Sequence, residues 1–181
     1  APAGGGPYGR VWAMKESIHI RPARLSDLPA MQRLFRETVL VVCRRDYTAA
    51  EVADWASCGD DPAHWTELFS RQHYFVAESP DGGVAGFASI DETGYMHSLF
   101  VGKGWQRCGV ASALYGAVER LAREAGADRI AAEVSRTARG FLERQGFVVD
   151  ERQRRRARRL LLENYKMSKR LDGPDPGSGV R

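Results

Sequence analysis

Apolar residues change their spacing several times along this chain, and each change marks an element. In "SDLPAMQRLFRETVLVVC", Leu28, Met31, Leu34, Phe35, Val39 and Val42 recur at three- and four-residue steps, which predicts an amphipathic helix with Ser26 or Asp27 as its N-cap. Ahead of it, "SIHIRPA" predicts a short strand, Ile18 to Arg21, ended by Pro22. Thr48 opens "TAAEVADWA" as a capping residue, and with "DPAHWTELFSRQ" this region predicts one or two short helices carrying Trp55 and Trp65. The period then drops. "HYFVAES", "GVAGFASID" and "YMHSLFV" are β-rich runs separated by "PDGG" and "DETG", which predicts a three-strand antiparallel meander. A second helix follows from about Gly109 to Ala125, with Val110, Ala113, Leu114, Ala117, Val118 and Leu121 as its apolar stripe and Gly126 as its stop. "RIAAEV" is then a strand, "TARGFLERQ" a helix stopped by Gly146, and "FVVDER" and "LLENYKMSKRL" the last two strands. The expected fold class is α/β (α+β): a mixed, mostly antiparallel sheet of about seven strands, about four or five flanking helices and one β-α-β crossover.

Composition narrows the function classes. The 181 residues suit one domain, expected over residues 14–171, between a disordered leader, residues 1–13, and a disordered tail, residues 172–181. The net charge of +4 comes from 27 basic and 23 acidic residues mixed along the chain, so the balance alone does not imply nucleic acid. Cys43, Cys58 and Cys108 show no C-x-x-C spacing, which argues against a disulfide framework or a zinc site and for a reducing, cytoplasmic setting. No run reaches the roughly 18 apolar residues of a membrane span, and no membrane partner is expected.

The stretch "GWQRCGVASALYGAVERLA" places a small-residue turn directly before the second helix. Gln106, Arg107, Cys108, Gly109, Val110 and Ala111 form a Q-x-x-G-x-A pattern between a strand and a helix. The first N–H groups of a helix lack partners and carry partial positive charge, so such a turn suits a phosphate. Nucleotide-binding fingerprints of the G-x-x-x-x-G-K and G-x-G-x-x-G kinds are absent. Taken alone, the pattern equally describes an ordinary strand-to-helix turn with packing glycines.

With "HSLFV" before it and "VSRTARGFLERQGF" after it, this turn resembles the GCN5-related N-acetyltransferase family. That family carries a strand ending in an aromatic and Val, then Q/R-x-x-G-x-G/A, then A-x-x-F-Y/F-E-x-x-G-F. The closing "NYKMSKRL" resembles the YafP-like branch, and the similarity runs from Ile18 to Leu171. The resemblance implies direct transfer of an acetyl group from acetyl-coenzyme A to a primary amine of a small molecule, or to a protein amino group, with no metal and no acyl-enzyme. By position, Leu99, Phe100 and Val101 would pair with the pantetheine arm, and Gln106 to Ala111 would hold the pyrophosphate. Ser135 stands where many relatives carry an Asn that touches the coenzyme. His97 matches the position of a general base on the fourth strand, its alternative being a structural His. Leu142 replaces the usual acid Tyr, which makes Tyr165 a candidate substitute acid, or else a cross-strand packing residue, and keeps open a coenzyme-binding sensor without turnover.

Tyr47 and Trp55 belong to the helical region that covers the acceptor pocket in the family, and are candidate substrate contacts. Asp46, Asp54, Asp60 and Asp61 could attract a cationic acceptor or serve as caps. The run "RQRRRARR", with Arg at 152, 154, 155, 156, 158 and 159, suits phosphates, but the plainer expectation is a solvated hairpin. No aromatics interleave it, so nucleic acid is not the favoured partner. A homodimer is compatible with the family.

Overall fold

The computed structural model describes residues 18–171; the expected leader, residues 1–13, and tail, residues 172–181, lie outside the described residues. Seven strands and five α-helices are present among them. They run β1 (His19–Pro22), α1 (Leu28–Val41), α2 (Ala49–Ser57), α3 (Pro62–Arg71), β2 (His73–Glu78), β3 (Val84–Ile90), β4 (Met96–Val101), α4 (Val110–Glu124), β5 (Arg129–Ser135), α5 (Arg136–Arg144), β6 (Val148–Arg156) and β7 (Leu161–Arg170). This is the expected mixed class, with one difference. The strands form two antiparallel sheets, ordered β1-β2-β3-β4 and β5-β7-β6, instead of one.

Each face of the first sheet is filled by side chains of the size its helices allow. Phe87 and Val76 project toward α1, α2 and α3, where Met31, Phe35, Val39, Val52 and Trp65 are buried with them. Ala85 and Ala88 face the other way, against Val110, Leu114, Tyr115 and Val118 of α4. The small residues let α4 approach closely: a Cβ added at Gly86 would lie 2.8 Å from the Phe100 carbonyl oxygen and 3.0 Å from Leu114 Cδ1. The buried arc of α4 differs from the expected stripe. Tyr115 and Ala122 are inside, while Ala113 is exposed, because the arc centres on Leu114 and Val118.

Charged groups pin the elements together. Asp27 stands at the N-cap of α1, but its side chain does not cap the helix. Its carboxylate accepts from both terminal nitrogens of Arg21 (2.8 and 2.9 Å) and from the Arg24 amide (2.6 Å), and Arg21 also reaches Glu78 at 2.6 Å. Thr48 does cap α2, with a reciprocal bond between its amide and Glu51. In α1 the inward polar position is Thr38, whose hydroxyl donates to the Val101 carbonyl at 3.3 Å.

The arginine run is a strand for most of its length. Arg152 and Arg154 to Arg156 lie in β6, paired with β7, and only Arg158 and Arg159 occupy the turn. An edge strand tolerates such charge because its outer row faces water. From α2, the Asp54 carboxylate accepts from the backbone amides of Arg158 (2.9 Å), Arg159 (2.9 Å) and Leu160 (3.0 Å). These bonds, Leu160 foremost, hold its pKa below the usual 3.8.

Gly86→Ala is expected to destabilise the protein by about 1–3 kcal/mol, read as a lower thermal midpoint, because the clash falls on backbone as well as on a side chain. Asp54→Ala is expected to accelerate amide exchange at residues 158–160. In the unaltered protein those amides should lose protection as pH falls below 3.8 and through the lowered value of Asp54, since a depressed carboxylate pKa stabilises above that range and not below it.

Candidate active site

β4 and β5 run parallel but share one rung. Tyr95 pairs with Ala131, the Ala131 amide donating to the Gly94 carbonyl at 3.1 Å, and beyond this point the strands part. Ser89 pairs with Ser98 and Ile90 with Met96, so His97 is the extra residue of a bulge. A bulge interrupts strict alternation. As a result Tyr95, His97, Ser98 and Phe100 all line one cleft of about 320 Å³, although they do not share one parity along the strand. Across the fork, β5 contributes Glu133 and Ser135 by ordinary alternation, β7 contributes Leu162 and Asn164, and the end of β6 contributes Arg155 and Arg156.

The helical wall is aromatic. Phe35 stands edge-on to Phe100 and Trp65, with ring centres 5.1 and 5.6 Å apart, and Tyr47 is edge-on to Trp55 at 5.8 Å. Trp55 is half-buried and presents its ring to the cleft; Trp65 is buried and donates through Nε1 to the Gly59 carbonyl at 2.9 Å. The Tyr47 ring also lines the cleft, but its hydroxyl is committed elsewhere. It donates to the Glu163 carbonyl (2.6 Å) and accepts from the Arg136 amide (3.0 Å), and burial pushes its pKa up to about 12.

His97 is a titratable group on the cleft wall. Solvent reaches it from the cleft mouth, yet the surrounding walls lower its pKa below 6.5. His64 pushes the same way, while Asp91 and Glu133 pull upward. The neutral imidazole is therefore the form at pH 7. Glu133 pairs with Arg155 at 3.0 Å. The Asn164 Oδ1 atom is buried in the cleft wall without a hydrogen-bond partner.

Tyr165 does not line this cleft. It packs in the same core cluster as Leu142, 8 % exposed, with the Arg139 guanidinium 4.5 Å over its ring. Its hydroxyl donates to Glu163 at 3.2 Å. Arg136 first, then Arg152, holds the Glu163 carboxyl at a pKa of about 2. Ser135 lines the cleft while its oxygen accepts from the Ala138 amide at 3.2 Å, capping α5.

The turn before α4 lies where β4 leaves the fork. The antiparallel ladder gives the Phe100 backbone to β3, and its alternation turns the backbone groups of Leu99 and Val101 toward the open edge. The Val101 carbonyl takes a bond from Gln106 Nε2 at 2.6 Å, so this side chain closes the turn instead of reaching outward. Arg107 and Gly109 both adopt left-handed backbone, with φ of 58° and 80°, on either side of Cys108. Gly109 is the N-cap and offers no side-chain acceptor, leaving the amides of Val110 and Ala111 at the head of a 15-residue helix without a cap.

Of the roles left open for the four aspartates, the structure shows local ones. Asp54 holds the β6–β7 turn, Asp46 accepts from Thr137 Oγ1 at 2.8 Å, Asp60 pairs with Arg36 at 2.8 Å, and Asp61 caps α3 through the Ala63 amide at 3.0 Å. Much of the arginine run is likewise engaged. Arg152 pairs with Glu163, Arg155 with Glu133, and Arg154 and Arg156 donate to the carbonyls of Leu161 and Arg159. Among the cleft residues the sequence analysis missed, Glu133 was readable as a strand neighbour of Ser135 at i−2. Tyr95 was readable in the same way from His97, two residues on; Ser98 was not, because a one-residue bulge leaves no local sequence mark. Among the described residues no helix is long and apolar enough to cross a membrane, and no group of three His, Cys, Asp or Glu comes together as a metal site.

The chain matches the family model described as an acetyltransferase (GNAT) domain over residues 43–169. It is 27 % identical over 151 residues to the uncharacterized N-acetyltransferase YafP of Escherichia coli strain K12, covering 83 % of this chain and 95 % of that one. A GCN5-related N-acetyltransferase from Rhodopseudomonas palustris superposes with a TM-score of 0.82 at 26 % identity, covering 86 % and 96 % of the two chains. The PaiA N-acetyltransferase of Thermoplasma acidophilum, solved with coenzyme A, shares the fold at a TM-score of 0.69 and 16 % identity, covering 85 % of this chain and 99 % of that one. With a matched segment spanning most of its length and both sheets of its fold, the chain belongs to the GNAT family of N-acetyltransferases.

Proposed function

We propose that this protein transfers the acetyl group of acetyl-coenzyme A directly to a primary amine of a small molecule. The observation that carries this reading is the fork between β4 and β5. It joins a strand edge with open backbone groups and an uncapped helix N-terminus on one side to an open-mouthed aromatic cleft holding His97 on the other.

The residues present fit the donor. The amides from Cys108 to Ala111, opened by the left-handed Arg107 and Gly109, suit a pyrophosphate, and the helix dipole adds to the attraction. The Leu99 backbone and the Val101 amide suit an amide-bearing arm laid along the strand edge. Gln106 acts by holding the turn in shape. A coenzyme relative, the Thermoplasma protein, supports the assignment by its own bound coenzyme A.

In the reaction an amine with a pKa near 10.4 must lose a proton before its lone pair can attack the thioester carbonyl. Neutral His97 accepts that proton, directly or through one water. A carbon–nitrogen bond forms, the carbon–sulfur bond breaks, and the sulfur leaves as thiolate. Leu142 cannot donate a proton, and the Tyr165 hydroxyl is bonded to Glu163. The thiolate therefore takes its proton from water, which suffices for a thiol of pKa about 8.5. Trp55 and the Tyr47 ring shape the acceptor side. The free thiols of Cys43, Cys58 and Cys108 suit a reducing, cytoplasmic compartment.

Gly109→Val places a β-branched residue at positive φ and is expected to weaken acetyl-coenzyme A binding by about tenfold or more, as loss of a charge-assisted bond would; unchanged affinity by calorimetry would move the pyrophosphate elsewhere. His97→Ala is expected to lower kcat/KM by about a hundredfold. It should also remove an acid limb whose midpoint lies below 6.5, because protonation of His97 on that side abolishes the base. A limb that persists in the variant would make His97 a structural residue.

A further inference from the structure

The tip of the β6–β7 hairpin, residues 157–160, meets the helical layer beside the cleft, and one side chain ties the two together. The Ala157 amide donates to the Leu160 carbonyl at 2.9 Å and closes the turn. The amides of Arg158, Arg159 and Leu160 then converge on the Asp54 carboxylate, at 2.9, 2.9 and 3.0 Å. Among the described residues, no other hydrogen bond or ion pair joins these four residues to α1, α2 or α3.

Both partners in this contact carry cleft residues next to it. On α2, Trp55 follows Asp54 directly and Cys58 lies one turn further on, and both line the cleft. On the hairpin, Ala157 precedes the bonded amides and Leu162 follows them, and both line the same cleft. Asp54 itself does not line it. Its carboxylate therefore sets how far one stretch of the wall stands from another.

Apolar contact alone would fix this spacing loosely. Ala157 is half-buried and offers a single methyl, while Arg158, Arg159 and Leu160 are exposed. Local opening concentrates in such segments. Three directed bonds to an ionised acceptor hold the tip in one place. The cleft it borders, about 320 Å³, is near the lower end for small-molecule sites, which run from about 300 Å³. At that size the position of one wall decides which ligands enter.

We propose that Asp54 is a positioning residue that limits the size of the acceptor: by fixing the β6–β7 tip against α2 it keeps the cleft narrow and excludes amines that carry a second ring. This rests on the acetyltransferase reading, in which Asp54 touches neither the coenzyme nor the amine.

The test compares the full chain with Asp54→Asn and Asp54→Ala, using acetyl-coenzyme A, benzylamine as the small acceptor and 3,3-diphenylpropylamine as the large one. Thiol release gives kcat and KM. Asp54→Ala is expected to raise the ratio of kcat/KM for the large amine over the small one by about tenfold, the scale on which a pocket wall discriminates by size. The change should fall on KM of the large amine and leave kcat for benzylamine within about twofold. Coenzyme affinity by calorimetry is expected to stay unchanged, which also shows that the variant is folded. Asp54→Asn keeps one carbonyl acceptor and should fall between the two.

A second readout needs no turnover. Cys58 is a free thiol on the cleft wall, so its alkylation by iodoacetamide and by fluorescein maleimide, followed by peptide mass, reports access. Burial first, then the Asp54 charge, raises the Cys58 pKa. Replacing Asp54 alters the thiolate fraction for both reagents alike, and only the ratio of their rates is read. That ratio is expected to move toward the maleimide by about tenfold. Amide exchange at residues 158–160 shows whether the tip has been released. An unmoved ratio, in amines or in reagents, with faster exchange overturns the proposal, and so do amides that stay protected in Asp54→Ala. Failure to bind coenzyme, or to release thiol with any amine, overturns the acetyltransferase reading instead. The Cys58 ratio then still decides whether Asp54 sets the width of the cleft.

Discussion

Parallel strands that begin a ladder normally continue it, since each further rung satisfies backbone groups that would otherwise need water. β4 and β5 form one rung, Tyr95 with Ala131, and then separate. The separation is held open from both sides: β4 is bound to β3, and β5 to β7, over their full lengths. The unpaired edge that results lies between the two sheets, where an extended ligand can take up backbone bonds. The aromatic cleft on one face and the head of α4 on the other both owe their position to this parting. The bulge at His97 belongs to the same constraint, because it lies just beyond the last rung and re-aims the side chain there.

Much of the architecture was legible. Every helix and strand appears close to its expected place, because the apolar period changes cleanly at each boundary and because Thr48, Gly126 and Gly146 punctuate the chain with recognisable chemistry. Less legible was anything decided by pairing at a distance. Asp27 resembles a cap in sequence, yet Arg21 arrives from β1 with a stronger claim on its carboxylate. Asp54 looks like a surface acid on a short helix until the β6–β7 turn, more than a hundred residues later, presents three amides to it. The arginine run looks like a turn because charge is rare in sheets, and becomes a strand because β7 supplies a long partner.

The turn before α4 was legible in the sequence and the aromatic cleft was not. A glycine turn before a helix is a local pattern, and the structure places Gly109 in the left-handed conformation that only a residue without a Cβ adopts freely. The cleft wall is assembled from α1, α2, α3 and four strands, so its members share no sequence neighbourhood. Tyr47 illustrates the difficulty. Its ring position follows from the helical region, but its hydroxyl partners, Glu163 and Arg136, come from the other end of the chain and fix it as a strut between the helical layer and the second sheet.

The asymmetry of β3 has a bearing on how such a protein can change over time. Bulky Phe87 on one side and small Ala85, Gly86 and Ala88 on the other make the strand a partition between two compartments with separate packing. Residues such as Trp55 and Leu68 touch only the first compartment, whereas α4 and its turn rest on the second. Substitutions that repack the cleft on one side of this wall therefore leave the seat of α4 and its turn on the other side undisturbed.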